Sequence, residues 1–456
     1  MERIEIGERL IIAIHGLSHE GEGVGYGPGR YALFIPAALP GEEVEIELIE
    51  RGARFGRGRL IAIRHSSRDR VEPVCPLFGR CGGCQLMHLS DEGQLRAKRQ
   101  RVVDALQRIG GVKEAQVAEC VASPHPLGYR NKIQLPVRQG DRGRMEIGLF
   151  ATGSHQLVEV ERCAIHSPLG ERVYQRTRQL LVESGLEPYA PREASEARGQ
   201  LRHLLIRSSL RSGQAMVVLV THGEGSREEL QSLAARLMEE EPSLVAIFQN
   251  VQTSLGSYAL GKDYWLLAGE EKMEEQLSKL TLQLSPNSFF QVNSLQAEQL
   301  YAKAIELAQI SGGERVVDGY CGIGVLSLLL ARQGADVLGV ELVEEAILDA
   351  RKNQQLNGVE RVEFLCAKVE EVMPELAGID VVVLNPPRKG CDRGLLERLA
   401  QLAPERVVYI SCDPATLARD LALLQRRSYR IHQVFPFDMF PQTAHVESVV
   451  LAERLR

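Results

Sequence analysis

In RVVYISCDPATLARDLALL, residues 406–424, Cys412 stands between an apolar strand pattern and an amphipathic helix pattern. Asp413 and Pro414 suit the cap and first turn of that helix. A thiol beside a helix N-terminus has a lowered pKa and is a nucleophile near neutral pH. The competing reading is a small apolar core residue, the commoner fate of an isolated cysteine. In AHVESVV, Glu447 is a carboxylate inside an apolar strand pattern and offers a proton acceptor. A strand glutamate is more often a solvated-face residue.

A second set of cysteines has another spacing. PVCPLFGRCGGCQLMHL places Cys75, Cys81 and Cys84 at C-x5-C-x2-C on a glycine-rich loop, and VERCAIH supplies a distant fourth, Cys163. Four such thiolates hold zinc or an iron-sulfur cluster, and spacing alone does not choose between them. With a separate nucleophile available, this set reads as structural rather than catalytic, and His88 beside it as structural. Cys321 reads as packing, while Cys120, Cys366 and Cys391 carry no assignment.

Asp318 ends a strand pattern and runs through Gly319-Tyr320-Cys321-Gly322-Ile323-Gly324 into a helix. Glycines there admit a ligand to the backbone, and the helix turns free N–H groups toward it. The next strand ends in Glu341, where such folds hydrogen-bond ribose hydroxyls. These features together favour an adenosine-containing ligand. A further strand runs into Asn385-Pro386-Pro387-Arg388. Two prolines stiffen that loop and leave carbonyls free to face a ligand. The absence of an aromatic residue after them lowers the reading of an enzyme that methylates an exocyclic amine. If that ligand were a methyl donor, a nucleophilic thiol beside it would suit a carbon that is a poor nucleophile by itself, such as C5 of uracil.

The elements that must position these groups fall into three expected domains, in line with 456 residues at roughly 150 residues per domain. Residues 1–66 alternate apolar and polar positions between glycine-rich turns, the pattern of a small β-barrel. The end of that module is basic, with Arg51, Arg54, Arg57, Arg59, Arg64, Arg68 and Arg70 against one acid, Asp69. Residues 67–275 form a mixed α+β central domain, with a basic helix at Arg96, Lys98, Arg99 and Arg101, strands such as YRNKIQLPVR and HLLIRSS, and a polar loop at REASEARGQ. From 276 strands and helices alternate, predicting an α/β domain with a parallel sheet and its ligand at the strands' carboxyl ends.

Composition narrows the classes. A 44% hydrophobic, 25% charged chain with net charge -6 is a globular protein with no global sign of nucleic-acid binding, although local basic patches exist. No apolar run suggests a signal peptide or membrane span, so a cytoplasmic location is expected. Nine cysteines without an export signal argue against a disulfide framework. Nothing in the sequence asks for an obligate protein partner.

Residues 1–66 resemble a TRAM domain, an RNA-binding barrel appended to RNA-modifying enzymes. The segments FFQVN, DGYCGIG, GVE, LNPPRKG, SCDPATLARDL and HVE, in that order and spacing, resemble the RNA 5-methyluridine methyltransferase family. The resemblance implies a class I S-adenosylmethionine-dependent catalytic domain (Rossmann-like), with Cys412 as nucleophile and Glu447 as proton acceptor. It implies Gln291, Tyr320, Glu341 and Asn385 as holders of S-adenosylmethionine. Asn385 departs from the more usual Asp, and Val325 from the Asn found in some members, which leaves individual cofactor contacts and the subgroup open. Members acting on rRNA share the cysteine spacing and bind a 4Fe-4S cluster, implying Cys75, Cys81, Cys84 and Cys163 as its ligands. The expected substrate is a uridine of 23S rRNA, flipped from a folded loop, with Arg130, Lys132 and Arg207 on its phosphates or bases. The alternatives are a tRNA T-loop uridine methyltransferase, a noncatalytic RNA-binding protein and a methylthiotransferase.

Overall fold

The structure is a computed structural model. It describes residues 4–112, 115–140, 143–189, 200–225, 227–254 and 259–455. Most of the loop expected at REASEARGQ therefore lies outside the described residues. The chain divides into two compact units. The first combines residues 1–126, 387–390 and 410–452; the second combines 127–386, 391–409 and 453–456.

The first unit begins with a closed barrel, β1 (Arg9–Leu17), β2 (Gly23–Gly27), β3 (Tyr31–Ile35), β4 (Glu43–Arg51) and β5 (Phe55–His65), in the order β1-β2-β3-β5-β4. Period-2 alternation builds it: Val44, Ile46 and Leu48 of β4 point inward and pack with Ile12, Ile14, Leu33 and Ile35, as a strand with one buried face requires. Gly58 is needed where β5 crosses β4, because a Cβ there would meet Ile46 Cδ1 at 2.6 Å. The basic end of the barrel is largely neutralised within the unit. Arg57 pairs with Glu20 and Glu22, Arg59 with Glu47, Arg64 with Glu45, and Arg70 with Glu42.

Helix α1 (Asp91–Ala105) follows, capped by Ser90, whose side chain accepts the Gly93 N–H. The basic helix read from the sequence is two-sided. Lys98 is 1% exposed, and its ammonium pairs with Asp438 and donates to the Phe440 carbonyl. Burial raises the Asp438 pKa, and Lys98 opposes that rise. Replacing Lys98 by Met should strand a buried carboxylate and destabilise the protein by about 3–5 kcal/mol. Denaturant midpoints of Lys98→Met and of the double variant Lys98→Met/Asp438→Leu test this, the double being expected to regain most of the loss. A short strand, β6 (Gln116–Val117), completes this stretch.

The second unit holds a seven-stranded sheet made of β7 (Lys132–Gln139), β8 (Met145–Phe150), β9 (Leu157–Glu159), β10 (Leu201–Ser208), β11 (Ala215–Thr221), β12 (Leu244–Val251) and β13 (Asp263–Gly269), in the order β13-β12-β11-β10-β7-β8-β9. All seven residues of β11, AMVVLVT, are buried. Helices α2 (Pro168–Glu183) and α3 (Arg227–Glu240) share a core with this sheet through Val173, Leu180, Leu230 and Leu237. A hairpin of β14 (Met273–Leu277) and β15 (Leu280–Leu284) and helix α4 (Ser294–Ala308) come next.

The expected alternation then appears. The second unit carries parallel strands β16 (Arg315–Gly319), β17 (Asp336–Glu341), β18 (Val362–Cys366), β19 (Val381–Leu384) and β20 (Arg406–Ser411), in the order β18-β17-β16-β19-β20. Helices α5 (Val325–Arg332) and α6 (Glu344–Leu356) connect the first three of these strands. In the first unit the end of β20 belongs with β21 (Tyr429–Phe437) and β22 (Glu447–Arg454), in the order β20-β22-β21-β6. Among the described residues no helix is long and apolar enough to cross a membrane.

Candidate active site

Strand order reverses at β16, which has β17 on one side and β19 on the other. Open α/β sheets bind ligands at such a switch point. A cleft lies there within the second unit, lined by Phe289, Gln291, Asp318, Tyr320, Gly322 and Asn385 among others. Gly322 (φ 54°) and Gly324 (φ 82°) turn the chain from β16 into α5, and Tyr320 shares the left-handed region at φ 66°. A non-glycine residue held there is strained, a condition that clusters at ligand sites.

Three of the four expected S-adenosylmethionine residues, Gln291, Tyr320 and Asn385, line this cleft. Glu341 acts one step behind it. Its Oε2 accepts the Gly322 N–H at 3.1 Å, and its Oε1 accepts the N–H groups of Leu342 and Val343. The carboxylate thus braces the glycine turn. The Tyr320 hydroxyl donates to Glu370 at 2.8 Å, and its pKa is raised by burial and by Cys391 and Glu370. Asp318 and Phe289 also line the cleft but were not predicted as site residues. Asp318 is buried, accepts the Ser327 hydroxyl at 2.5 Å and has a pKa pushed up to about 7, chiefly by burial. Its position at the carboxyl end of the first parallel strand was the available signal.

The expected nucleophile and base both belong to the first unit. Cys412 sits in the turn after β20, ahead of α7 (Pro414–Arg426 in the chain). Asp413 caps that helix, its side chain accepting the Thr416 N–H at 2.9 Å, as the sequence predicts. Glu447 opens β22 and is 4% exposed, so it is not a solvated-face residue. Burial pushes its pKa up to about 7, and Arg388 pulls it back down. Cys412 departs from expectation. Burial, then the nearby Glu447 carboxylate, raise its pKa to about 11, while Arg388 lowers it. Desolvation and a like charge outweigh the field of the helix end.

Arg388 is the residue that sequence reasoning underused. It acts on Cys412, Glu447, His445 and Arg101 alike. Its carbonyl accepts the Thr416 hydroxyl at 3.2 Å, which ties the Pro-Pro loop to the helix after Cys412. His445 has a pKa lowered to about 4 by burial and by Arg388, Arg101 and Lys98. Its imidazole is therefore neutral near pH 7.

Cys75, Cys81 and Cys84 lie in the first unit and Cys163 in the second. Among the described residues no group of three or more His, Cys, Asp or Glu side chains is placed to hold a metal ion. Burial, and to a smaller extent the nearby Cys75, raise the Cys81 pKa, while its Sγ accepts the Gly83 N–H at 3.4 Å. Neutral thiols have no mutual attraction, and a metal gathers them by displacing their protons.

The expected RNA contacts separate. Arg207 is a correction: it is 3% exposed and donates to the Ser288 carbonyl, so it supports the residue before Phe289 instead of reaching a phosphate. Lys132 faces Arg207 across β7 and β10. Burial and its neighbours Arg207 and Arg130 lower its pKa to about 7. Arg130 donates from Nε to the Lys132 carbonyl at 3.0 Å.

Comparison with known proteins agrees with this architecture. Residues 200–455 match the family described as tRNA (Uracil-5-)-methyltransferase, and residues 3–61 match the TRAM domain. An "Uncharacterized RNA methyltransferase" of Clostridium tetani is 40% identical over 442 residues, covering 96% of this chain and 95% of the relative. One from Caldanaerobacter subterraneus subsp. tengcongensis is 40% identical over 462 residues, covering both chains fully. The solved structure of Pyrococcus abyssi tRNA (uracil-54, C5)-methyltransferase in complex with S-adenosyl-L-homocysteine is 30% identical, with TM-score 0.77, covering 97% of this chain and 100% of the other. A cleft at the switch point, a TRAM barrel and matches of this extent lead to one conclusion: the chain belongs to the RNA uracil-C5 methyltransferase family, whose members are S-adenosylmethionine-dependent enzymes.

Proposed function

We propose that this enzyme methylates C5 of a specific uridine in 23S rRNA, with Cys412 as nucleophile and Glu447 as proton acceptor. The observation that carries the proposal is a thiol after β20 and a buried carboxylate opening β22, each under the influence of Arg388. Bound S-adenosylmethionine supplies a methyl group on a sulfonium. Gln291, Tyr320 and Asn385 would contact it in the cleft, and Glu341 would offer its remaining lone pairs to the ribose. Cys412 gives its thiol proton to solvent, its thiolate Sγ adds to C6 of uracil, and the ring becomes an enolate. C5 then takes the methyl group, releasing S-adenosylhomocysteine. Glu447 removes the C5 proton, the C6–Sγ bond breaks, and the aromatic ring is restored with the thiolate expelled. The target uridine is flipped out of its loop to expose C5 and C6, and Lys132 and Arg130 bind the neighbouring phosphates.

The TRAM barrel and the cysteine spacing support rRNA. The likeness to the Pyrococcus abyssi enzyme supports a second reading, a tRNA T-loop uridine. Transfer of labelled methyl from S-adenosylmethionine to unmodified 23S rRNA and tRNA transcripts, followed by nucleoside digestion, separates them. Label in 5-methyluridine from rRNA is the expected result, and label from tRNA alone would establish the second reading. The same proposal places a 4Fe-4S cluster on Cys75, Cys81, Cys84 and Cys163, supported by spacing and resemblance, and locates the enzyme in the cytoplasm. Iron and acid-labile sulfide in anaerobically purified protein test the cluster; full activity in iron-free protein would count against a catalytic part for it.

The raised pKa values predict the pH dependence. Glu447 must be ionised to accept a proton, and its pKa is about 7. Cys412 must lose its proton to attack, and its pKa is about 11. Single-turnover rates should climb steeply with pH up to about 7, then continue to rise roughly tenfold per unit while the thiolate fraction grows. A plateau from pH 7 to 9 would show that RNA binding lowers the thiol pKa.

A further inference from the structure

No hydrogen bond reaches the Glu447 carboxylate among the described residues, although the side chain is buried. Its position is therefore set by the backbone that delivers it. That backbone, residues 438–446, is anchored at every second residue by groups of the first unit. Asp438 and the Phe440 carbonyl are held by Lys98. The Ala444 carbonyl accepts from Arg101 at 2.5 Å. Between them stands Gln442, 5% exposed, at φ 69°, a conformation that a non-glycine residue keeps only when its surroundings enforce it.

Those surroundings are dense. The Gln442 carbonyl accepts two backbone N–H groups from the cysteine-bearing loop, Gln85 at 3.0 Å and Leu86 at 2.9 Å. Its own N–H donates to Gln94 Oε1 at 2.9 Å, and its Oε1 accepts from Gln94 Nε2 at 3.0 Å. Its Nε2 donates to the Pro126 carbonyl at 3.3 Å. Gln94, Lys98 and Arg101 lie on one face of α1, as i, i+4 and i+7 spacing dictates. One helix face and one loop thus fix the turn that leads into the base.

We propose that Gln442 is a positioning residue for the C5 deprotonation step: the bonds its side chain makes with Gln94 and the Pro126 carbonyl set where Glu447 stands. The inference rests on the reading of Glu447 as the base. Gln442→Gly keeps the left-handed backbone without strain and removes the side-chain bonds; Gln94→Ala cuts the same link from the helix.

The test measures kcat and KM for RNA and S-adenosylmethionine, the SDS-stable methylated protein–RNA adduct and the melting temperature, with Glu447→Gln in parallel. The expected result for each positioning variant is a fall of about 10- to 100-fold in kcat, unchanged KM values, a melting temperature lowered by no more than a few degrees and accumulation of adduct. The double variant should lose less than the product of the two single losses, because both break the bond from Gln94 Nε2 to Gln442 Oε1. Unchanged kcat in both, or losses that track the melting temperature without adduct, would overturn the inference. If Glu447→Gln itself accumulates no methylated adduct, the base assignment fails and the inference with it. If Glu447→Gln accumulates adduct and the Gln442 and Gln94 variants do not, the inference alone fails.

Discussion

Cys412→Ala should abolish methyl transfer, by about 10⁴-fold or more, and no covalent protein–RNA complex should form. C5 of uracil is too weak a nucleophile to displace the sulfonium until a group adds at C6, and Cys412 is the thiol that Glu447 and Arg388 both influence. The substitution removes one half-buried sulfur and leaves Asp413 to cap the following helix, so folding should be retained. Cys412 is not among the residues lining the cleft, and S-adenosylmethionine should bind as in the wild type. Methyl transfer assays, denaturing gels and calorimetric titration check the three parts. Retained transfer would remove both the nucleophile assignment and the covalent route.

Glu447→Gln should slow turnover by about 10²- to 10⁴-fold, the range for loss of a positioned general base, and should stall the reaction late. The amide fills the same buried volume but accepts no proton from C5. The methylated adduct joined to Cys412 should therefore accumulate and survive denaturation. A second readout has a defined sign. The Glu447 carboxylate raises the Cys412 pKa, so its loss should lower that pKa and speed alkylation of Cys412 by iodoacetamide at pH 8. Slow turnover without adduct would place Glu447 before methyl transfer, as the acceptor of the thiol proton.

The parts of this molecule governed by local pattern were legible in its sequence. Alternation along β4 announces the barrel, glycines after Asp318 announce the ligand turn, and Asp413-Pro414 announces the helix after the thiol. Properties set by distant partners were not. The Cys412 pKa depends on Glu447 and on burial, neither visible in SCDP. The arginines of the barrel count as a basic patch only until β4 glutamates face them across the sheet. Arg207 resembles Lys132 in sequence, yet its guanidinium is buried against a carbonyl. Gln442 has no signature at all, since its role comes from bonds to residues more than three hundred positions earlier.

The composition of the first unit also bears on the order in which a ribosome would complete the enzyme. Gln94, Lys98 and Arg101 emerge early, but their partners at 438–444 emerge only after the whole stretch 127–386 has been made. That stretch supplies most of the second unit and is available to fold while synthesis continues. Cys412 and Glu447 are thus among the last groups to be organised, and the early segment spends translation without the partners for its buried lysine. This interval is where a chaperone would have most to protect, and a product truncated after residue 386 should still hold the formed cleft of the second unit.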